Sequence, residues 1–273
     1  MTTLVLTARR FCRARLVLAA AVIATLLNPV PARAQQQSRT LLAVFAHPDD
    51  ERIVGPLLAR YGREGIHVVL VIATDGRKGV SKHAGIPAGD SLARLRAAEA
   101  RCATAQLGIA PPRLLGLEDG GLASFAALTQ LRDSLSTIMR ELRPGAIITF
   151  GPEGGTGHPD HRLVGDVVTE LVQRAAHGSP EQLYFPSLPS ERMGDAPPAR
   201  PTIATIAERY LTVRVSFERG DLESARRAFA CHATQYTAEE MSAIMRYLAH
   251  GFAGYVHLRP WRASDAVANS LFR

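Results

Sequence analysis

The run Leu41-Leu42-Ala43-Val44-Phe45 offers no polar residue to either side of a strand, so a strand built from it must be covered on both faces. Val68 to Ala73 repeats the pattern, and Ala146 to Phe150 does so with one threonine. Strands buried on both faces belong to parallel sheets, whose connections are helical crossovers. Helical patterns do stand between these runs. Asp50 to Arg63 turns Ile53, Val54, Leu57 and Leu58 inward and stops at Gly65, with Pro56 expected to kink it. Ser91 to Leu107 stops at Gly108, Leu128 to Leu142 ends before Pro144, and Arg162 to Ala176 follows. Arg113 to Leu115 and Leu211 to Val215 read as further strands, and Asp221 to Cys231 and Thr237 to Leu248 as helices, the last with a Thr237/Glu240 capping box. After Leu183-Tyr184-Phe185, the prolines at 186, 189, 197, 198 and 201 predict a surface loop that rims or covers a site. The expected fold class is α/β: a Rossmann-like, mostly parallel sheet with helices on both faces, in a single domain.

Residues 1–34 read as a secretory signal peptide and residues 35–273 as the working domain. Arg9, Arg10, Arg13 and Arg15 form a basic start, Leu16 to Leu27 an apolar core, and Ala32-Arg33-Ala34 a small-x-small cleavage site before Gln35. That uncharged stretch of twelve residues is short of the roughly 20 that span a bilayer, so no stable membrane span is expected after cleavage. The expected location is outside the cytoplasm, periplasmic or secreted. This leader also accounts for the net charge of +7. Five of the 32 Lys and Arg lie in it and none of the acids do, which leaves 27 bases against 25 acids in residues 35–273. A nucleic-acid partner is excluded on that balance. Export places Cys102 and Cys231 in an oxidising compartment, yet two cysteines far apart on predicted helices read as separate buried thiols. Oligomeric state leaves no signal in the sequence.

The chemistry gathers at the ends of two strands. His47-Pro48-Asp49-Asp50-Glu51 follows the first run and His158-Pro159-Asp160-His161 follows the run at Ala146 to Phe150. In an open α/β sheet such positions are the usual place for ligands. His47, Asp50 and His161 make a two-histidine, one-carboxylate set, which suits Zn2+ with an open position; Fe2+ and other divalent ions bind the same donors. Asp49, next to a ligand at a tight turn, is placed to act as general base on a water. His158 is placed to steady an oxyanion or protonate a leaving amine, and Asp160 to orient an imidazole. Capping alone explains one His-Pro-Asp at a helix start, but not two such clusters after two buried strands. Glu51 reads as a first-turn acid favoured by the helix dipole.

The two motifs, with Thr74-Asp75-Gly76, Arg96-Ala97-Ala98-Glu99, Leu107-Gly108 and His232-Ala233-Thr234-Gln235, resemble the PIG-L/LmbE-like zinc N-deacetylases over Leu41 to Gln235. The resemblance implies His47, Asp50 and His161 as zinc ligands, Asp49 as base, His158 with Asp160 as an assisting pair, and Arg96 near the substrate. It implies hydrolysis of an N-acetyl amide on an N-acetylglucosamine-containing small molecule or glycan. Thr156 stands where the mycothiol-pathway enzymes carry tyrosine, which argues against that substrate. Arg77 after Thr-Asp-Gly predicts a more basic pocket. The competing class is a non-catalytic metal- or glycan-binding protein that keeps the site; intact Asp49 and His158 speak against it. A nucleotide-binding Rossmann enzyme is disfavoured because no G-x-G-x-x-G follows the first strand.

Overall fold

A computed structural model describes residues 39–174, 180, 182–193, 203–262 and 266–272. The predicted leader, His177, Pro197, Pro198 and Pro201 lie outside them. The aliphatic runs form the centre of the sheet: β1 (Thr40–Phe45), β2 (His67–Thr74), β3 (Arg113–Leu117), β4 (Ala146–Ile148) and β5 (Leu183–Pro186). All six residues of β1 are buried, as two-sided coverage requires. Two further strands, β8 (Val213–Ser216) and β9 (Tyr255–Pro260), complete a seven-stranded sheet in the order β3-β2-β1-β4-β5-β9-β8. The first five pair in parallel, whereas β9 is antiparallel to both β5 and β8. β9 is not among the strands expected from the sequence; its alternating pattern is carried by polar His257 and Arg259 and ends on a proline. That proline faces Tyr184 at the end of the β5 pairing, where a missing N–H costs little.

The helices are α1 (Gly55–Arg63), α2 (Asp90–Leu107), α3 (Phe125–Leu142), α4 (Pro159–Gln173), α5 (Arg219–Phe229) and α6 (Ala238–Phe252). α1, α2 and α5 pack together as one group, and α3 packs on α4 as another. Residues Ser38–Arg273 form one compact unit. The helix expected over Asp50 to Arg63 is divided. A 3-10 turn spans Asp50–Ile53, Val54 leaves helical geometry at φ −124°, and α1 starts at Gly55 with Pro56 in its first turn. Pro56 therefore starts a helix instead of kinking one, as suits a residue without an N–H.

Two other expectations are corrected. Pro186 to Pro189, the start of the expected surface loop, is not one: every residue is buried, and Leu188–Pro189 (β6) pairs with Thr205–Ile206 (β7) in a small second sheet. Cys102 and Cys231 are not separate thiols but a disulfide, with Cα atoms 5.9 Å apart. The packing of α2 on α5 brings the two together from 129 residues apart, inside the span a disulfide bridges. Among the described residues no helix is long and apolar enough to cross a membrane.

Gly165 fixes how α4 lies against the chain leaving β4. A Cβ there would collide with the carbonyl oxygen of Phe150, a backbone atom that cannot rotate aside. Gly165→Ala is expected to destabilise the fold by about 2 kcal/mol, as overpacking does, read as a lowered midpoint in chemical denaturation.

Candidate metal centre

The site lies at the carboxyl ends of four adjacent parallel strands, and each strand supplies a different part. β1 leads into His47 to Asp50, β2 into Asp75 to Gly79, β3 into Glu118-Asp119-Gly120, and β4 into the glycine-rich turn before His158 and α4. Between them opens a cleft of about 390 Å³ lined by His47, Asp49, Lys78, Asp119, His158 and Tyr236 among others. Strand order reverses direction between β1 and β4, the point at which α/β sheets hold ligands.

His47 Nδ1 lies 3.0 Å from His161 Nε2. Asp50 faces both, with oxygens 3.6 Å from His47 Nδ1 and 3.3 Å from His161 Nε2. The far side of each ring is tied down. His161 Nδ1 sits 2.8 Å from the carbonyl of Gly154, so it carries the proton and leaves Nε2 as a lone pair directed at Asp50. His47 Nε2 is 3.1 Å from an Asp119 oxygen and 3.4 Å from Asp160, which holds its proton there and frees Nδ1. This is the arrangement that orients imidazoles toward a cation, and the donors fit a divalent metal held by His47, Asp50 and His161. Asp119 and Asp160 are near one another and His47 as well, but they address the outer nitrogen of the ring. Burial opposes charge on His47, yet Asp119, Asp160 and Asp50 outweigh it and raise its pKa. Burial likewise opposes ionisation of Asp119, but His47 and the Lys78 amide draw its pKa down to about 2.

Asp49 points elsewhere because its backbone does. At φ 107° it occupies the left-handed region, a strained choice for a residue with a Cβ. Its amide donates to Glu51 Oε2 at 3.1 Å, and Arg52 donates to its carbonyl at 2.6 Å. The carboxylate then accepts from the Tyr236 hydroxyl at 2.6 Å and from Arg96 at 3.3 Å. Burial foremost keeps Tyr236 protonated and therefore a donor; Arg52 opposes this and Asp49 reinforces it. Glu51 is no mere first-turn acid: it is buried and its other oxygen lies 2.7 Å from His232 Nε2.

The remaining predicted residues are also placed. Arg96 borders the cleft but is only 3% exposed, and it donates to the Pro48 and Gly76 carbonyls at 2.6 and 3.0 Å as well as to Asp49. Both terminal nitrogens of its guanidinium are engaged by the protein, while its Nε has no partner among the described residues. Gly76 and Gly79 are glycines for the same reason, since a Cβ at either would strike this guanidinium. His158 is half-buried, with its ring edge-on to His47 at 4.7 Å, and its Nδ1 accepts from the Asp160 amide at 3.1 Å. Burial, helped by the neighbouring imidazoles of His47 and His161, lowers its pKa. His158 is thus neutral at pH 7, with its proton on Nε2. Asp160 does not pair with His158 through its side chain; that carboxylate turns to His47 and accepts from the Gly120 amide at 2.7 Å.

Arg77 does not make the pocket basic, because its guanidinium is engaged by Asp75 and Asp90; Lys78 lines the cleft instead, paired with Glu118 at 2.7 Å. Asp119 and Arg52 are site residues that the sequence does not single out as functional, and Tyr236, which it offers only as an aromatic for sugar stacking, instead donates to Asp49. Two had a usable signal: Asp119 is an acid at a strand end, and Tyr236 directly follows His232-Ala233-Thr234-Gln235.

A His/Asp/His metal centre at the switch point of such a sheet defines a metal-site protein of the LmbE-like α/β fold. The chain belongs to the PIG-L family, described as GlcNAc-PI de-N-acetylase, whose model matches residues 42–172. It is 33% identical over 241 residues to the 1D-myo-inositol 2-acetamido-2-deoxy-alpha-D-glucopyranoside deacetylase of Rhodococcus jostii, covering 73% of this chain and 82% of that protein. With deacetylase 2 of the same description from Catenulispora acidiphila it is 40% identical over 160 residues, 51% of this chain. The chain spans 53%, about half, of that relative's length. The structure of N,N'-diacetylchitobiose deacetylase from Pyrococcus horikoshii superposes with a TM-score of 0.63 at 20% identity, covering 89% of this chain and 91% of that one.

Because Asp119 keeps His47 in the tautomer that presents Nδ1, Asp119→Asn is expected to weaken metal binding by about 10- to 100-fold without unfolding the chain. Competition against a chelator of known affinity measures it.

Proposed function

We propose that this chain is an exported, zinc-dependent N-deacetylase that hydrolyses the acetamido group of an N-acetylglucosamine-containing small molecule or glycan. One observation carries the reading: a set of metal donors and a separately oriented acid, Asp49, held by Tyr236 and Arg96, face the same cleft. The deacetylase names of the relatives support the acetamido sugar as substrate class. The basic, apolar, small-residue order of residues 1–34 supports export, and so does the Cys102–Cys231 disulfide, which suits an oxidising compartment.

A zinc ion held by His47, Asp50 and His161 would supply Lewis acidity, polarising the acetamido carbonyl and lowering the pKa of a water to about 7. Asp49 takes the proton of the attacking water on its carboxylate. As the new carbon–oxygen bond forms and the carbon–nitrogen bond breaks, it returns that proton to the amine nitrogen, so the products are acetate and a free amine. His158 carries its proton on Nε2 and is neutral, so its part is to donate a hydrogen bond to the carbonyl oxygen as negative charge builds there. Tyr236 and Arg96 hold the acid in register, and Asp119 and Asp160 hold His47.

The test is acetate release from N-acetylglucosamine, chitooligosaccharides and muropeptides by the chain from Gln35, with and without chelator. Release that stops with chelator and returns with zinc is expected; metal-loaded protein that binds glycans tightly and releases nothing would leave a binding protein instead. Asp49→Asn is expected to keep its metal and lose at least about 100-fold in kcat, since an amide cannot take the proton. Unchanged turnover in that variant would remove Asp49 from the base role.

A further inference from the structure

α2 presents Arg96, Glu99 and Cys102 at intervals of three residues, which places them along one stripe of the helix. Arg96 reaches the Asp49 carboxylate at 3.3 Å. Glu99 accepts from both the amide and the hydroxyl of Thr234, at 2.7 and 2.8 Å. Cys102 is bonded to Cys231, just beyond the end of α5. The segment Cys231–Tyr236 is therefore fastened to α2 at two successive points.

From the same segment three side chains reach the site. His232 pairs with Glu51, whose other oxygen holds the Asp49 amide. Gln235 donates to the carbonyl of Gly79 in the cleft wall at 2.8 Å. Tyr236 donates to the Asp49 carboxylate at 2.6 Å. Asp49 is thus gripped from two sides, by Arg96 from α2 and by Tyr236 and His232 from the segment, and the two grips keep their spacing only if segment and helix stay together.

We propose that the Cys102–Cys231 disulfide and the Glu99–Thr234 contact are positioning elements for Asp49, locking the Cys231–Tyr236 strap to α2. The proposal rests on the reading of Asp49 as the base. Cys102 is exposed, so a solution reductant reaches the bond. Opening it frees the strap locally while the sheet, buried beneath the helices, stays closed.

The experiment compares the metal-loaded chain from Gln35 as oxidised protein, after reduction with a phosphine, after reoxidation, and as the Cys102→Ser/Cys231→Ser variant. Amide hydrogen exchange within residues 232–236 is expected to accelerate by about tenfold or more on reduction, with β1 and β2 unchanged. On any amide the oxidised protein hydrolyses, kcat is expected to fall about tenfold with KM within about twofold, metal content constant, and recovery on reoxidation. Glu99→Gln is expected to move both readouts the same way by a smaller factor, which keeps the test open should the double variant fold poorly. Unchanged exchange in the strap, unchanged kcat despite faster exchange, or loss of protection throughout the sheet would each overturn the proposal. Failure of the oxidised protein to hydrolyse any amide would instead count against the deacetylase reading, and the exchange experiment would still decide whether the disulfide holds the strap.

Discussion

The parallel pairing of β1 with β4 is the constraint from which the site follows. Leu41, Leu42 and Ala43 lie opposite Ala146, Ile147 and Ile148, and neighbouring strands stand only about 4.8 Å apart. Whatever leaves the two carboxyl ends emerges side by side, which is how imidazoles 114 residues apart come within 3.0 Å. A slip of one residue in this register would move a strand end by about 3.3 Å and turn its side chains to the opposite face. The register is protected by burial, since β1 and β4 have no exposed residue that would tolerate a shift. Aliphatic packing under the cleft therefore sets the geometry of polar groups within it.

Those polar groups present a second problem, because Asp49, Asp50, Glu51 and Arg52 are consecutive and all buried. Buried charges are tolerated only when each finds a partner. The left-handed backbone at Asp49 solves this by splaying the three acids toward three destinations: Tyr236 and Arg96, the two metal-site histidines, and His232. Arg52 returns to cover the carbonyl and carboxylate of Asp49 from the remaining side. The left-handed backbone at Asp49 is a condition for aiming two adjacent carboxylates at different partners.

What could be read from the sequence divides along the same physical line. β1, β2 and the clusters at their ends are local: a run of aliphatics states its own burial, and His-Pro-Asp-Asp states its own chemistry. Asp119 is not local. Glu-Asp-Gly-Gly reads as a turn until β3 is seen beside β2, with Asp119 reaching across the strand ends to His47. Arg96 is marked in the sequence by the resemblance alone, and only the packing of α2 over the Gly76 turn shows its terminal nitrogens donating to Pro48, Gly76 and Asp49. The disulfide was hidden for the same reason, since nothing within either helix encodes the approach of α2 to α5. β9 fails differently: an alternating strand with His257 and Arg259 lacks the continuous apolar signature that exposes its parallel neighbours.

The depth of the donors also divides the labour within the cleft. His47, Asp50, His161 and Asp49 are almost wholly enclosed and are held by protein partners, so they are poorly placed to tell one entering ligand from another. Discrimination falls to groups nearer the mouth. Arg77, the departure that the sequence makes conspicuous, is removed from this role by Asp75 and Asp90, whereas Lys78 lines the cleft with its ammonium on the exposed Glu118. An exposed pair of this kind is weakly bound in water, so either partner is available to an entering ligand at small cost. Thr156, also at the cleft, is compact and lies 3.3 Å from His161 Nδ1, leaving room where a tyrosine would fill it. The upper wall of the cleft is therefore built from the loops after β2, β3 and β4, on top of a floor whose geometry the strand register has already fixed.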